Sequence, residues 1–362
     1  MVLVQKNVPL VSIIILNYNG ENYLAECLSS VFRTKYQNFE VIFVDNASKD
    51  NSLEIVKKQF GQEERLKVLK SAHSLGFSGG NNFGFDHTKG NYLVFLNNDT
   101  IVDPLWLQSL VDIMEQDKTI GLAGSTILSI DGRRIRGAGG LWSDYLLFLC
   151  GLGAGKEGDF EFPPSIEVSF ASGCSMIIGR DLINEIGLFE PQIPFNYDDT
   201  LLSLKVWLAG KRVVTASKSK VRHIGGATTT KFWNNRSVSF SLMRAKVCLL
   251  FDAYYNLKDL FKAFFIFISS IVIDFIFLPR QKNVAKCLGE LDALRWLIRN
   301  FKYVWNNRAK HWSSAKISPA LLLSKYIRIR LPFPLCITPS DLTNKIYQFE
   351  CLEYEKTQTN AA

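Results

Sequence analysis

The chain has 362 residues, 47% hydrophobic and 21% charged, with 24 glycines, 11 prolines and a formal net charge of +8. This composition excludes collagen-like, disulfide-framework and wholly disordered classes, and it leaves ample material for a buried core. Residues 1–230 carry 22 Lys+Arg against 25 Asp+Glu and residues 231–362 carry 20 against 9, which argues against a nucleic-acid-binding front end and for a tail that meets an acidic surface such as lipid headgroups.

The N-terminus reads MVLVQKNVPLVSIII, with one early lysine and no small-residue cleavage site before Asn17-Tyr18-Asn19, unlike a signal peptide. The first part of the chain is therefore expected in the cytoplasm. Val11–Leu16 is a continuous β-branched run of the kind that forms a fully buried strand. Residues 21–33 follow as a helix, Val41–Val44 as a second strand, Leu53–Phe60 as a helix and Leu66–Leu69 as a third strand. Tyr92–Leu96 is a fourth strand and Leu105–Met114 a helix. Such alternation predicts a mostly parallel, doubly wound sheet with its ligands beyond the carboxyl ends of the strands. The polar clusters fall at those ends: Asn17-Tyr18-Asn19, Asp45-Asn46 and Asn97-Asn98-Asp99.

Between the third and fourth strands, GFSGGNNFGF (76–85) lacks dinucleotide-fingerprint spacing, but its glycines allow close approach of backbone to a ligand. Asn81 and Asn82 are expected to begin the next helix, where free N–H groups meet an anion or are simply capped. Residues 131–197 are Gly-rich and irregular, with a return to strand over 168–178 and to helix over 180–186. A helix over 198–209 is closed by Gly210. Around residue 231 the chain turns aromatic, basic and apolar, which divides it into units 1–230 and 231–362.

Several residue groups suit chemistry. Asp99 at a strand tip can hold a hard divalent cation, or Asp99 or Thr100 can cap the helix after Pro104. Asp45 can accept a hydrogen bond from a base N–H, while Ser48 and Asp50 suit a turn and a helix cap. Asp198-Asp199 open a helix, where acids favour the dipole and where a carboxylate can serve as general base toward a hydroxyl. His223, before two glycines, is a structural histidine or a second metal ligand. The seven cysteines are scattered, without a CxxC pair or zinc-finger spacing, and read as buried thiols of a reducing compartment.

In order, SIIILNYNG, VIFVDNASKDNS, GFSGGNNFGF, LVFLNNDT, SGCSMIIGRDLINEIGLFEP, NYDDTLLSLKVWLAGKRV and VRHIGGAT resemble glycosyltransferase family 2, in particular its rhamnosyltransferase-like branch that builds cell-surface glycans. The resemblance covers about residues 10–228. It implies the A-type glycosyltransferase fold, a Rossmann-like, mostly parallel sheet, here with a helical, membrane-associating C-terminal region. It implies inverting transfer from a nucleotide-diphosphate sugar, with Mg²⁺ or Mn²⁺, to a glycan or lipid-linked acceptor at the cytoplasmic face of the membrane. Nucleotide contacts would fall on Asn17, Asn19, Asp45, Asn81 and Asn98. Asp99 and His223 would serve the metal, Asp199 would be the catalytic base, and Asp198 its neighbour. The family's helix often reads Glu-Asp-x-Asp, whereas this chain has Asp198-Asp199-Thr200-Leu201, so the third carboxylate is missing. A non-catalytic sugar-nucleotide-binding or scaffold subunit on the same fold is the alternative.

In the tail, Leu260–Leu278 is a 19-residue apolar run interrupted by Lys262 and Asp274, borderline in length for a membrane span. Basic and aromatic residues follow it (Arg295, Trp296, Arg299, Lys302, Trp305). This pattern predicts in-plane or re-entrant helices on the cytoplasmic leaflet rather than a full crossing.

Overall fold

The computed structural model describes residues 8–143, 149–193, 195–225, 235–276 and 284–329. The boundary expected near residue 231 lies outside these residues, as do the sequence's first seven and last 33. Four strands form the parallel half of the main sheet. They are β1 (Val11–Asn17), β2 (Phe39–Asp45), β3 (Leu66–Lys70) and β4 (Tyr92–Asn97), in spatial order β4-β1-β2-β3. The crossovers are α1 (Leu24–Phe32), α2 (Ser52–Phe60) and α3 (Gly76–Phe85). Parallel neighbours require such crossovers, and the strands are apolar throughout because both faces are covered.

Beyond β4 the sheet becomes mixed. A two-residue turn leads to β5 (Thr100–Val102), then α4 (Trp106–Gln116) and β6 (Ile120–Leu128). The Gly-rich stretch contains short strands: β7 (Ile135–Gly137), β8 (Gly140–Ser143), β9 (Leu149–Gly151) and β10 (Ser165–Glu167). The strand expected over 168–178 is confined to β11 (Ser175–Gly179), which runs antiparallel between β4 and β6. Residues 171–174 stay irregular and carry Gly173 into the site. After α5 (Arg180–Ile186) and α6 (Asp198–Leu208), the long β12 (Arg212–His223) pairs parallel with β6 and antiparallel with β5 and β10.

Alternation along β1 sends Ile14 to one face of the sheet and Ile13 and Ile15 to the other. Ile13 and Ile15 share a core with α1 and α4 through Leu24, Leu28, Trp106 and Leu110. Ile14 shares the opposite core with α6 and with the C-terminal helices α7 (Asn235–Ala253), α8 (Leu257–Ile276) and α9 (Val284–Ser313). A short α10 (Pro319–Tyr326) and β13 (Ile327–Ile329) follow, β13 joining β8 and β9 in a small second sheet. The C-terminal region is thus helical and packs on the same sheet face as α6. No helix among the described residues is long and apolar enough to cross a membrane.

Candidate functional site

Register alone assembles the first part of the site. In the parallel pairing Asn17 stands beside Asp45, and Leu16 beside Asn97, so three polar tips line one edge. Asn17 and Asp45 are fully buried, and Asn98 and Asp99 nearly so. Buried polar groups need partners, and here they find one another. Asn98 Nδ2 donates to Asn17 Oδ1 at 2.7 Å, and Asn17 Nδ2 donates to Ser48 Oγ at 3.0 Å. Ser48 Oγ also accepts from the Asn19 N–H at 3.0 Å, while the Ser48 N–H donates to Asp45 Oδ2 at 3.3 Å. Asn19 holds a left-handed backbone, φ 52°, and accepts from the Lys49 N–H through its side chain. A β-carbon on Gly20 would lie 2.2 Å from Asn17 Oδ1 and 2.4 Å from Asn98 Nδ2, so a larger residue here would displace those two side chains. Ser48, which the sequence suits to a turn and a helix cap, is the hub of this edge. Asp50 does cap α2, accepting from Ser52 N–H and Oγ.

The second part comes from far along the chain. Antiparallel pairing of β5 with β12 sets His223 opposite Thr100. His223 Nε2 thereby lies 3.0 Å from Asp99 Oδ1. Asp99 Oδ2 accepts from the Gly225 N–H at 3.3 Å, and Arg136 Nη1 donates to the carbonyls of His223 and Ile224 at 3.1 and 2.6 Å. Burial works against the charged imidazole, but the Cys174 sulfur and the Asp99 carboxylate outweigh it and push His223 up to about 10. Asp99 does not cap a helix: β5 follows it, and α4 begins only at Trp106.

Asp199 is positioned by the loop before β11. Its Oδ2 accepts from the Gly173 N–H at 2.8 Å, and its Oδ1 accepts from the Thr200 N–H at 2.7 Å. The neighbouring Cys174 carbonyl accepts from the Asn97 N–H at 3.0 Å. Residues 173 and 174 thus tie the first turn of α6 to the tip of β4. No local pattern in SGCSM signals this link, because it joins segments brought together only by the sheet. Asn196 and Tyr197 both adopt left-handed backbone, φ 64° and 58°, a strained pair that turns the chain into α6. The Tyr197 ring packs against Trp142, with centroids 5.4 Å apart. Burial raises both carboxyls of the pair. Asp198 also faces the charge of Asp199 and is raised well above the ordinary range, whereas N–H donors from Gly173 and Thr200 oppose the rise at Asp199.

Asn81 and Asn82 are placed differently from expectation. Helix α3 starts at Gly76, so both residues lie in its interior and offer no free N–H groups. Asn81 Nδ2 donates back to the Phe77 carbonyl, and Asn82 Nδ2 donates to the Phe189 carbonyl. The two side chains knit structure around the glycines of this helix. Two of those glycines approach the sheet: a β-carbon on Gly80 would meet Leu16, and one on Gly84 would meet Ile14.

Asp99 and His223 form a two-donor pair that suits a divalent cation completed by ligand oxygens. Among the described residues, no three His, Cys, Asp or Glu side chains converge as a full cage. Cys27, Cys174, Cys248 and Cys287 are free and buried.

Residues 12–187 match the family model of glycosyl transferase family 2. The chain carries a family 2 glycosyltransferase domain. A Haemophilus influenzae protein described as an uncharacterized glycosyltransferase is 32% identical over 120 residues, which are 33% of this chain and 37% of that protein. The chain spans between 24% and 52% of the length of the first curated relatives it matches. GalNAc-T7, crystallised with UDP, GalNAc and Mn²⁺, superposes with a TM-score of 0.60 at 17% identity, over 95% of this chain and 59% of that one. The mannosyltransferase PcManGT from Pyrobaculum calidifontis, in complex with GDP-Man and Mn²⁺, superposes with a TM-score of 0.51 at 16% identity, over 96% and 86%. These likenesses establish the A-type glycosyltransferase fold.

Proposed function

We propose that the site at the carboxyl edge of β4-β1-β2 transfers a sugar from a nucleoside-diphosphate donor to a hydroxyl of a glycan acceptor, with inversion at the anomeric carbon. The observation that carries this reading is the convergence of Asn17, Asp45, Asn98 and Asp99 on one buried edge, with Asp199 tied to it through residues 173–174. The solved neighbours that hold UDP or GDP-Man with Mn²⁺ support the donor class.

In this reading Asp45 accepts a base N–H, while Asn17, Asn19 and Asn98 shape the nucleoside pocket. Asn81 would serve that pocket only by bracing α3 behind it. Asp99, with His223 beside it, would hold Mg²⁺ or Mn²⁺, which neutralises charge on a departing diphosphate. A metal-bound His223 must be neutral at Nε2, so ion and proton compete for that atom. Asp199 takes the acceptor's proton as the hydroxyl attacks from the face opposite the leaving group. Asp198 positions the first turn beside it. The acceptor class that fits the basic, aromatic tail is a lipid-linked glycan at the cytoplasmic membrane face.

A panel of nucleotide sugars, screened for thermal stabilisation with and without Mg²⁺ or Mn²⁺, tests donor and metal together. The expected result is metal-dependent stabilisation by one donor, then release of nucleoside diphosphate when acceptor is added. A product that keeps the donor's anomeric configuration overturns single displacement. Donor binding without turnover on any lipid-linked glycan points instead to the scaffold reading.

A further inference from the structure

Helix α8 buries one side, through Leu260, Ala263, Phe267 and Ile271, and presents the other to solvent. Leu257, Phe261, Phe265, Val272 and Ile276 recur at spacings of four and seven along that outer side, as one helix face requires. Phe261 and Phe265 are 70% and 72% exposed, and on α9 Ile298 is 78% exposed. The two helices meet at Phe251, whose buried ring contacts Phe264 of α8 and both Phe301 and Trp305 of α9. A run of apolar side chains this exposed marks an interaction surface.

Charge selects the occupant. Asp274, the acid that interrupts the apolar run, turns to Lys286 Nζ at 2.7 Å. Lys258 and Lys262 follow Leu257 and Phe261 on exposed positions of α8, and Arg299 and Lys302 flank Ile298 and Phe301 on α9. A second copy of the chain would bring the same basic surface against itself, whereas an anionic bilayer offers both hydrocarbon and opposite charge. The helices are anchored close to the site, since Ser241 Oγ of α7 donates to the Phe195 carbonyl at 2.8 Å, three residues before Asp198.

We infer that the outer faces of α8 and α9 seat on an anionic lipid bilayer, with Phe261, Phe265 and Ile298 entering the acyl boundary and Arg299 and Lys302 at the headgroups. This deepens the reading of the acceptor as lipid-linked, and it gives that reading a defined membrane-facing surface.

The test is flotation of the full chain with phosphatidylcholine vesicles and with vesicles containing 30% phosphatidylglycerol, roughly the anionic content that attracts basic segments. The wild-type chain should float with the anionic vesicles, less with the neutral ones, and less at high salt. Phe261→Ser with Phe265→Ser should lower the partition coefficient at least about tenfold, because insertion scales with buried apolar area. Arg299→Gln with Lys302→Gln disturbs no apolar packing and should lower anionic binding roughly fivefold per charge. Wild-type protein that does not float, or phenylalanine variants that fold and float undiminished, overturns the inference. A wild-type dimer in light scattering that these variants dissolve, without vesicle binding, also overturns it and assigns the face to a second copy. Thermal stabilisation by nucleotide sugar is read in parallel. Loss of flotation with donor binding intact defeats the docking surface alone, and flotation without donor binding defeats the donor-site reading alone.

Discussion

At the carboxyl edge of the sheet, buried polar side chains bond directly to one another. Asn17, Asp45 and Ser48 bond to each other or to nearby backbone, and Asp99 meets His223. In the helical region of α7–α9 several charged groups instead pair inside the protein, and large apolar side chains stand outside. Lys286 reaches Asp274 at 2.7 Å and Glu290 at 3.8 Å, while Lys205 and His311 converge on Glu190 from α6 and α9. Both regions bury polar groups, but the first gathers them at strand ends and the second between packed helices. Polarity at depth thus identifies a site only when the elements that carry it end there.

This contrast can be broken by substitutions that alter chemistry on one side and stability on the other. Asp199→Asn should lower turnover about 10²–10⁴-fold, the usual cost of a lost general base, with donor binding kept in a calorimetric titration. Equal loss in Asp198→Asn with a mild effect at Asp199 would reverse the roles of the pair. Asp99→Ala should lower transfer roughly 10²–10³-fold, and EDTA should do the same to the unaltered protein. Full activity in EDTA would break the metal assignment.

Leu201 stands where the family often has a third carboxylate, yet its side chain is 4% exposed and packs in the core beneath α6. Leu201→Asp should therefore cost roughly 3 kcal/mol or more in stability, read from denaturant unfolding, and should not raise activity. Gly20→Ala forces apart Asn17 and Asn98 and should weaken donor binding about tenfold, the worth of one hydrogen bond, with little change in melting temperature.

The smallest effect belongs to the helices. Burial and Asp274 raise Glu290 to about 7. A carboxyl raised on folding releases its proton more readily when unfolded, so its contribution to stability declines as pH rises from about 4.5 to about 7. Burial lowers Lys246 to about 8, so stability recovers as pH rises from about 8 toward 10.5. Glu290→Gln should flatten the acid limb of a melting-temperature profile and leave donor binding unchanged. An unaltered profile would remove Glu290 from the account.

The parallel strands and their polar tips were legible because a buried strand between crossover helices must be apolar throughout and end abruptly at water. Asn17, Asp45 and Asp99 stand at such ends in the sequence and also in the structure. The glycines before Asn81 suggest a loop, but α3 already starts at Gly76 and they let the helix lie close to Leu16 and Ile14. The loop at 171–174 read as strand because its neighbours are apolar on both sides. Asp274 reads in the sequence as an interruption of the apolar run, and helix packing turns it toward Lys286.

The sequence by itself determined which residues end the strands, which helix opens with two acids, and that the last third is basic and aromatic, because backbone periodicity and burial act within each segment. Only the tertiary structure decided that His223 meets Asp99, that Gly173 holds Asp199, and that Phe261 and Phe265 face outward. Those contacts join segments tens to more than a hundred residues apart, and strand register and helix packing fix them rather than any local preference of the residues involved.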